Sequence, residues 1–219
     1  MKQAFINSIC HEIRTPLNSI VGFSDLIMNE DIDEEMRREF PAEIQKSTLL
    51  LTRLVNSMLE VANLDVSEDK LPCEPVDIRN MCMQEMEKIS PKPRIKYQLD
   101  ITEDTLFIPT NAQYLTMVIE HLLNNANKFT EEGFIALGYK VNLSKNQICI
   151  SVTDSGCGIP KEKQEEVFNR FSKLDTFVPG NGLGLYLCRL IVKRLDGEIK
   201  IDPEYTDGTR VVVNLPMNE

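Results

Sequence analysis

The first 66 residues carry the periodic apolar pattern of two long helices. In the first helix, the apolar residues recur at steps that are mostly three or four positions: Ile6, Ile9, Ile13, Leu17, Ile20 and Ile27. This spacing predicts an amphipathic helix roughly 40 Å long, at about 1.5 Å per residue. The acidic segment 29–33 breaks the pattern and predicts a turn. A second helix is predicted to begin at about Glu34.

The second helix contains two interleaved heptad series, which are typical of a coiled-coil seam. One series is Phe40, Ser47, Leu54 and Val61, and the other is Ile44, Leu51 and Met58. Two such helices cannot bury both apolar stripes within a single hairpin. Pairing of two hairpins into a four-helix bundle is therefore expected, and with it a homodimer.

Beyond this region the pattern becomes mixed. Segment 67–75 has two prolines and no periodicity, which predicts a linker. Helices are then predicted at about 78–89, 112–129 and 183–195, with strands at about 95–101, 134–141, 147–153, 199–202 and 210–215. The predicted fold class is α+β: a dimerising helical hairpin in 1–66, followed by an α/β sandwich with a mixed sheet in 76–219.

Charge and cysteine content exclude several functional classes. The net charge is −10, and an acidic chain repels nucleic-acid phosphates, so no nucleic-acid partner is expected. Six cysteines without a C-x-x-C pair argue against a disulfide framework, and two separated histidines argue against zinc. The helical pattern is already present at the first residues, so we expect the sequence to begin inside a longer helix.

His11 lies off the apolar stripe of the first helix. It is two residues from both Ile9 and Ile13, or roughly 200° around the helix at about 100° per residue, so it is expected to face water. Thr15 follows four residues later on the same face. A neutral imidazole is a usable nucleophile near neutral pH. The simpler alternative is a solvated surface histidine.

Four segments of the second domain are candidates for ligand chemistry. They are the asparagine-rich helix end 124–130, the turn 154–160, the aromatic pair in 168–173 and the glycine-rich loop 180–185. Each has an ordinary structural alternative: helix capping, a plain turn or core packing. The glycine spacing in 180–185 is not the dinucleotide fingerprint, yet a glycine-rich loop leading into a helix N-terminus favours phosphate.

The run His-Glu-Ile-Arg-Thr-Pro-Leu-Asn at 11–18 closely resembles the phosphoacceptor box of sensor histidine kinases. The four segments above, and then Gly208-Thr209, resemble the ATP-binding boxes of the same family and follow in its order. The resemblance covers nearly the whole chain.

The resemblance implies that ATP phosphorylates His11 and that the phosphoryl group passes to an aspartate of a response-regulator receiver domain, separate or fused. Glu12 would assist as general base. Thr15 would help position water when the same protein dephosphorylates the receiver. The chain would then be a cytoplasmic fragment, attached to a membrane only through an N-terminal sensor region outside this sequence.

The resemblance also implies a set of nucleotide-binding residues. Asn125 would be a ligand of Mg²⁺, Lys128 and Lys173 would lie near the phosphates, Phe129 would pack on adenine and Asp154 would accept a hydrogen bond from its amino group. The segment 171–181 would form a lid. The remaining residues implied for the nucleotide are Gly156, Gly158, Gly180, Gly182, Gly184, Leu185 and Thr209.

One position departs from the family pattern. His121 stands where the family usually has a first asparagine, four residues before Asn125. Two alternatives therefore stay open. One is an ATPase of the chaperone, gyrase and mismatch-repair type, although Glu120 is one position from the expected place of its catalytic glutamate. The other is a degenerate kinase that serves as a dimeric scaffold.

Overall fold

Two long helices form the N-terminal part of the molecule. The computed structural model describes residues 2–28, 33–66, 71–101, 105–172, 174 and 182–217. Helix α1 spans Lys2–Met28 and helix α2 spans Glu34–Val66, and the two pack along each other. Pro16 and Pro41 lie inside these helices without ending them. The predicted turn at 29–33 falls almost entirely outside the described residues.

The hairpin buries one of the two predicted heptad series. Its members are 2–7% exposed: Phe40, Ser47, Leu54 and Val61. The ring of Phe23 on α1 lies 5.4 Å from that of Phe40, centroid to centroid. The interpretation of this series as a seam is confirmed. A further apolar set is 41–57% exposed and so is left uncovered by a single chain: Leu17, Val21, Leu49, Val55 and Leu59.

A mixed α/β domain follows, as predicted. Its elements are β1 (Glu74–Asp77), α3 (Ile78–Glu87), β2 (Ile95–Ile101), β3 (Phe107–Thr110), α4 (Ala112–Phe129), β4 (Gly133–Asn142), β5 (Gln147–Asp154), α5 (Gly184–Arg194), β6 (Glu198–Ile201) and β7 (Thr209–Pro216). Two short 3-10 helices lie at Lys161–Lys163 and Glu166–Phe168. The main sheet has the order β2-β4-β5-β7-β6, with β2 and β4 parallel and the other pairs antiparallel.

Strands β1 and β3 were not predicted from the sequence. They form a separate antiparallel pair in which Pro75 lies opposite Pro109. Each strand has only four residues and contains a proline, and proline within an apolar run argues against a strand prediction. A two-stranded ribbon tolerates both prolines because each strand has a free edge. Residues Glu74 and Pro75, expected in the linker, belong instead to β1.

The helices of this domain pack on the sheet and bury alternate strand residues. On β5, Ile148, Ile150 and Val152 are buried, which is the two-residue period of a strand with one covered face. The end of α2 joins the same core through Val61 and Leu64. Arg194 of α5 donates to the carbonyl of Leu64 at 3.5 Å, so α5 anchors the hairpin.

The lengths and apolar content of the described helices bear on whether one could span a bilayer. In the part of the chain that the structure describes, none is both long enough and apolar enough to cross a membrane.

The close approach of β2 to β4 gives a test of the fold. A Cβ on Gly138 would overlap the backbone carbonyl of its partner Asp100. We expect Gly138→Ala to lower the free energy of unfolding by about 1–3 kcal/mol, the usual cost of overpacking. The matched control is Gly22→Ala on α1, where a Cβ meets nothing within 4 Å and the helix should gain about 0.5–1 kcal/mol. Urea titration measures both, and equal midpoints would contradict the prediction.

Candidate active site

The second domain positions its candidate residues along α4. The N-cap of this helix is Asn111, whose side chain accepts a hydrogen bond from the amide of Tyr114 at 3.1 Å. One side of α4 is buried against the sheet domain: Leu115, Val118, Ile119, Leu122, Leu123 and Ala126. The edge beside that side carries His121 and Asn125, which are one helical turn apart and partly exposed. The packing of α4 therefore fixes where these two polar side chains lie.

The last turn of α4 holds a cation and an aromatic ring. Lys128 is exposed, and its Nζ lies 4.7 Å from the centroid of the Phe129 ring. Phe129 is 39% exposed, which leaves part of its ring open to a ligand. Both side chains are therefore accessible at the C-terminal end of α4.

Asp154 ends β5 with its carboxylate nearly buried, at 6% exposure. Its Oδ1 accepts from the amides of Gly156 at 2.9 Å and Thr209 at 3.3 Å. Burial raises the pKa of the carboxyl, and the two amide hydrogen bonds oppose that shift. Both amides bind Oδ1, and no hydrogen bond to Oδ2 is found among the described residues. Oδ2 is therefore the acceptor that remains for a ligand.

Backbone segments approach each other closely around Asp154. A Cβ on Gly156 would overlap the carbonyl of Phe129, and a Cβ on Gly208 would overlap the carbonyl of Asp154. Gly208 also has φ +147°, a conformation that favours glycine. Gly158 in turn lies against the carbonyl of Gly208. The absence of side chains at these positions lets the backbone segments pack closely around Asp154.

The N-terminus of α5 lies next to His121 of α4. Leu183 precedes α5 without a side-chain cap on its first amides, and these amides favour an anion. Gly182 has φ +63°, and Leu185 is half-buried against the core. Lys173, Gly180 and most of the expected lid at 171–181 lie outside the described residues.

The segment before the expected lid is held on α5 by two arginine–aromatic contacts. Phe168 is only 1% exposed and lies 4.6 Å from the guanidinium carbon of Arg189. Arg170 lies 4.7 Å from the ring centroid of Tyr186 and donates to its hydroxyl at 2.5 Å. Of the two interpretations of Phe168, core packing is the one that the structure bears out.

Lys92 holds the C-terminal end of α4 and was missed in the sequence. Its ammonium donates to the carbonyls of Asn127 and Thr130, the latter at 3.0 Å. The hydroxyl of Tyr97 donates to Oδ1 of Asn127 at 2.8 Å. A cation on the last carbonyls of a helix also complements its dipole. Because Lys92 and Asn127 are 35 positions apart, no local pattern predicts this contact.

The candidate phosphoacceptor lies on the hairpin rather than on the sheet domain. His11 is exposed on α1, as the helical spacing predicts, and Glu12 is half-buried. Thr15 donates its hydroxyl to the carbonyl of His11 at 3.3 Å. Pro16 lacks the amide that would bond the carbonyl of Glu12. The structure therefore places His11, Glu12 and Thr15 on one helix, and the nucleotide candidates on another domain.

The donors available for a metal ion are few. Among the residues that the structure describes, no group of three His, Cys, Asp or Glu side chains could hold a metal. Asn125 offers a carboxamide oxygen, and Mg²⁺ prefers oxygen ligands while keeping several waters or phosphate oxygens. The donor set thus fits an ion that arrives with nucleotide phosphates rather than a dedicated protein cage.

Two family models match the chain. Residues 1–66 match the His Kinase A (phospho-acceptor) domain. Residues 110–219 match the family described as Histidine kinase-, DNA gyrase B-, and HSP90-like ATPase. The segment between the two matches, 67–109, includes β1, α3 and β2.

Individual histidine kinases are similar to this chain in sequence and in structure. The sensor-like histidine kinase ycf26 of Pyropia yezoensis, described as uncharacterized, is 30% identical over 95% of this chain. The chain spans only 35% of that protein. Full-length ShkA in complex with AMPPNP has a TM-score of 0.73 at 26% identity, covering 99% of this chain and 46% of ShkA. ThkA in complex with the response regulator protein TrrA has the same fold, with a TM-score of 0.77 at 21% identity over 98% of this chain and 61% of that one.

Lys92 provides the test of this geometry. Lys92→Met should weaken ADP binding, because it frees the turn that carries Lys128 and Phe129. It should also lower the free energy of unfolding by about 1.5–3 kcal/mol, the usual value for a charged hydrogen bond. Calorimetry and urea titration measure the two effects. Lys92→Arg keeps the cation and should retain most of the affinity.

A second control separates this effect from the loss of any lysine. Lys46 makes an exposed pair with Glu43, and such pairs contribute little. Lys46→Met should therefore leave ADP affinity unchanged. Equal ADP affinity in Lys92→Met and Lys46→Met would contradict the positioning role of Lys92.

Proposed function

Because the chain belongs to the histidine kinase family, we propose that it transfers the γ-phosphoryl group of ATP to His11 and then to an aspartate of a response-regulator receiver domain. The observation that carries the proposal is the pairing of two sites. An exposed imidazole lies on a helical hairpin, and the sheet domain holds a buried Asp154 that has one carboxylate oxygen left as an acceptor. ShkA was solved with AMPPNP, which supports ATP as the nucleotide.

The nucleotide is held along the C-terminal half of α4. Oδ2 of Asp154 accepts from the amino group of adenine, while Thr209 and Gly156 hold Oδ1. The ring of Phe129 packs on the base. Lys128 and the amides at the start of α5 meet the phosphates. Further phosphate contacts come from Lys173, Gly180, Gly182, Gly184 and Leu185, and Gly158 lines the adenine space.

Asn125 binds Mg²⁺ through its carboxamide oxygen. The ion, when bound, neutralises charge on the phosphates. Positioning by α4 and α5 then supplies most of the catalysis, as expected for phosphoryl transfer.

The transfer itself uses groups of α1. The unprotonated imidazole nitrogen of His11 attacks the γ-phosphorus, and the bond from that phosphorus to the bridging oxygen of ADP breaks. The proton on the other ring nitrogen passes to the carboxylate of Glu12. In the next step an aspartate oxygen of the receiver attacks the phosphorus, the phosphorus–nitrogen bond to His11 breaks, and the imidazole takes back a proton. ThkA was solved in complex with a response regulator, which supports this class of partner.

The uncovered apolar side chains of the hairpin support a homodimer. Leu17 and Val21 of α1 and Leu49, Val55 and Leu59 of α2 are all more than a third exposed. Pairing of two hairpins into a four-helix bundle covers them. His11 remains on the outside of that bundle because it lies off the apolar stripe.

The position of Thr15 supports a second activity for α1. Its hydroxyl lies on the face of His11, where water would approach a bound phospho-receiver. We therefore include dephosphorylation of the receiver in the proposed function.

His11→Gln tests the first step. It should abolish acid-labile labelling from radiolabelled ATP, since the attacking nitrogen is lost, while dimer formation and ADP affinity stay unchanged. Labelling of the parent without this loss in the variant would overturn the assignment of His11. ATP hydrolysis by the parent without any label would favour the ATPase alternative, and neither label nor hydrolysis would favour the scaffold.

Thr15→Ala separates the two activities. Removal of phosphate from the receiver should fall by roughly 10²-fold, the low end for a lost catalytic group. Autophosphorylation should stay within a few-fold of the parent because the hydroxyl takes no part in the attack on ATP. Ser24→Ala is the control, since Ser24 makes the same type of bond to a carbonyl one turn earlier, at 2.7 Å. Equal losses in both activities would show that Thr15 is structural.

A further inference from the structure

The chain has two histidines, and the proposed phosphotransfer uses only His11. The other, His121, lies on α4 four residues before Asn125, so both side chains project from the same edge of that helix. It is partly buried rather than solvated. Two side chains at this spacing can bind one ion, as pairs of histidines do on metal-binding helices.

His121 also faces a second element of the site. A Cβ placed on Gly184, the first residue of α5, would lie 3.6 Å from Nδ1 of His121. The imidazole therefore lies next to the helix terminus proposed to hold the phosphates, and one turn along α4 from the proposed metal ligand Asn125. An ion bound to nucleotide phosphates at that terminus lies within reach of a side chain on α4.

The imidazole offers a different donor atom from the carboxamide oxygen of Asn125. A neutral imidazole has a free lone pair on one nitrogen. Mg²⁺ prefers oxygen, whereas nitrogen ligands favour first-row transition ions.

We propose that His121 supplies a nitrogen ligand to the divalent ion that accompanies the nucleotide, and that this ligand shifts the preference of the site from Mg²⁺ toward Mn²⁺ and later first-row ions. The inference rests on the proposed function, in which Asn125 supplies an oxygen ligand one turn away. It assigns to His121 a role in metal selection rather than in transfer.

The direct test detects the metal–nitrogen bond. In the His11→Gln background, His121 is the sole imidazole, provided that the protein carries no histidine tag. Pulsed electron paramagnetic resonance on bound Mn²⁺ with ADP should show a directly coordinated nitrogen. ADP has no nitrogen near its phosphates, so the coupling reports the protein. It should vanish in the double variant with His121→Asn, which keeps a polar side chain of similar size.

Calorimetry gives the second readout. The ratio of ADP affinity in Mn²⁺ to that in Mg²⁺ should fall by roughly tenfold in His121→Asn, the low end for disturbing a metal site. Asn125→Ala should weaken binding with both ions. Bound Mn²⁺·ADP without nitrogen coupling, or an unchanged ratio, would overturn the role of His121 alone. Absence of ADP binding by the parent with either ion would overturn the proposed nucleotide site, and this inference with it.

Discussion

The rotational setting of α4 on the sheet is the constraint on which the nucleotide site depends. Six apolar residues of this helix are buried on one side, so any rotation about its axis would expose them. That setting fixes the edge on which His121 and Asn125 lie. Lys92 holds the carbonyls at the far end, which keeps Phe129 close to Asp154. Burial of the apolar side of α4 thus determines where its polar side chains lie.

Strand register provides the second constraint. Pairing of β5 with β7 sets Thr209 opposite Asp154, so the amide of Thr209 reaches the carboxylate without any loop adjustment. Burial of the carboxylate would be costly without such donors, because an unpaired buried charge is strongly disfavoured. The same closeness requires glycine at positions 156 and 208. Close packing of the backbone around Asp154 therefore depends on both strand register and these two glycines.

The two halves of the proposed reaction lie on the hairpin and on the sheet domain, which meet at the end of α2. The end of α2 contributes Val61 and Leu64 to the core of the sheet domain, and Arg194 of α5 bonds the carbonyl of Leu64. Helix α5 thus contacts the hairpin at one end and presents Gly184 to α4 at the other. A change in that contact would move the helix terminus proposed to bind phosphate relative to the helix that carries His11.

The sequence by itself determined the elements with strong periodicity and the chemistry on them. It placed α4 at 112–129 and β2 at 95–101, the buried heptad series of α2, and the exposure of His11, because period and capping are local properties. Only the tertiary structure decided which distant groups meet. Strands β1 and β3 exist because they pair with each other, and Lys92 matters because it reaches Asn127. His121 faces Gly184 because two helices pack side by side. Such contacts depend on register and packing between elements, which no local pattern encodes.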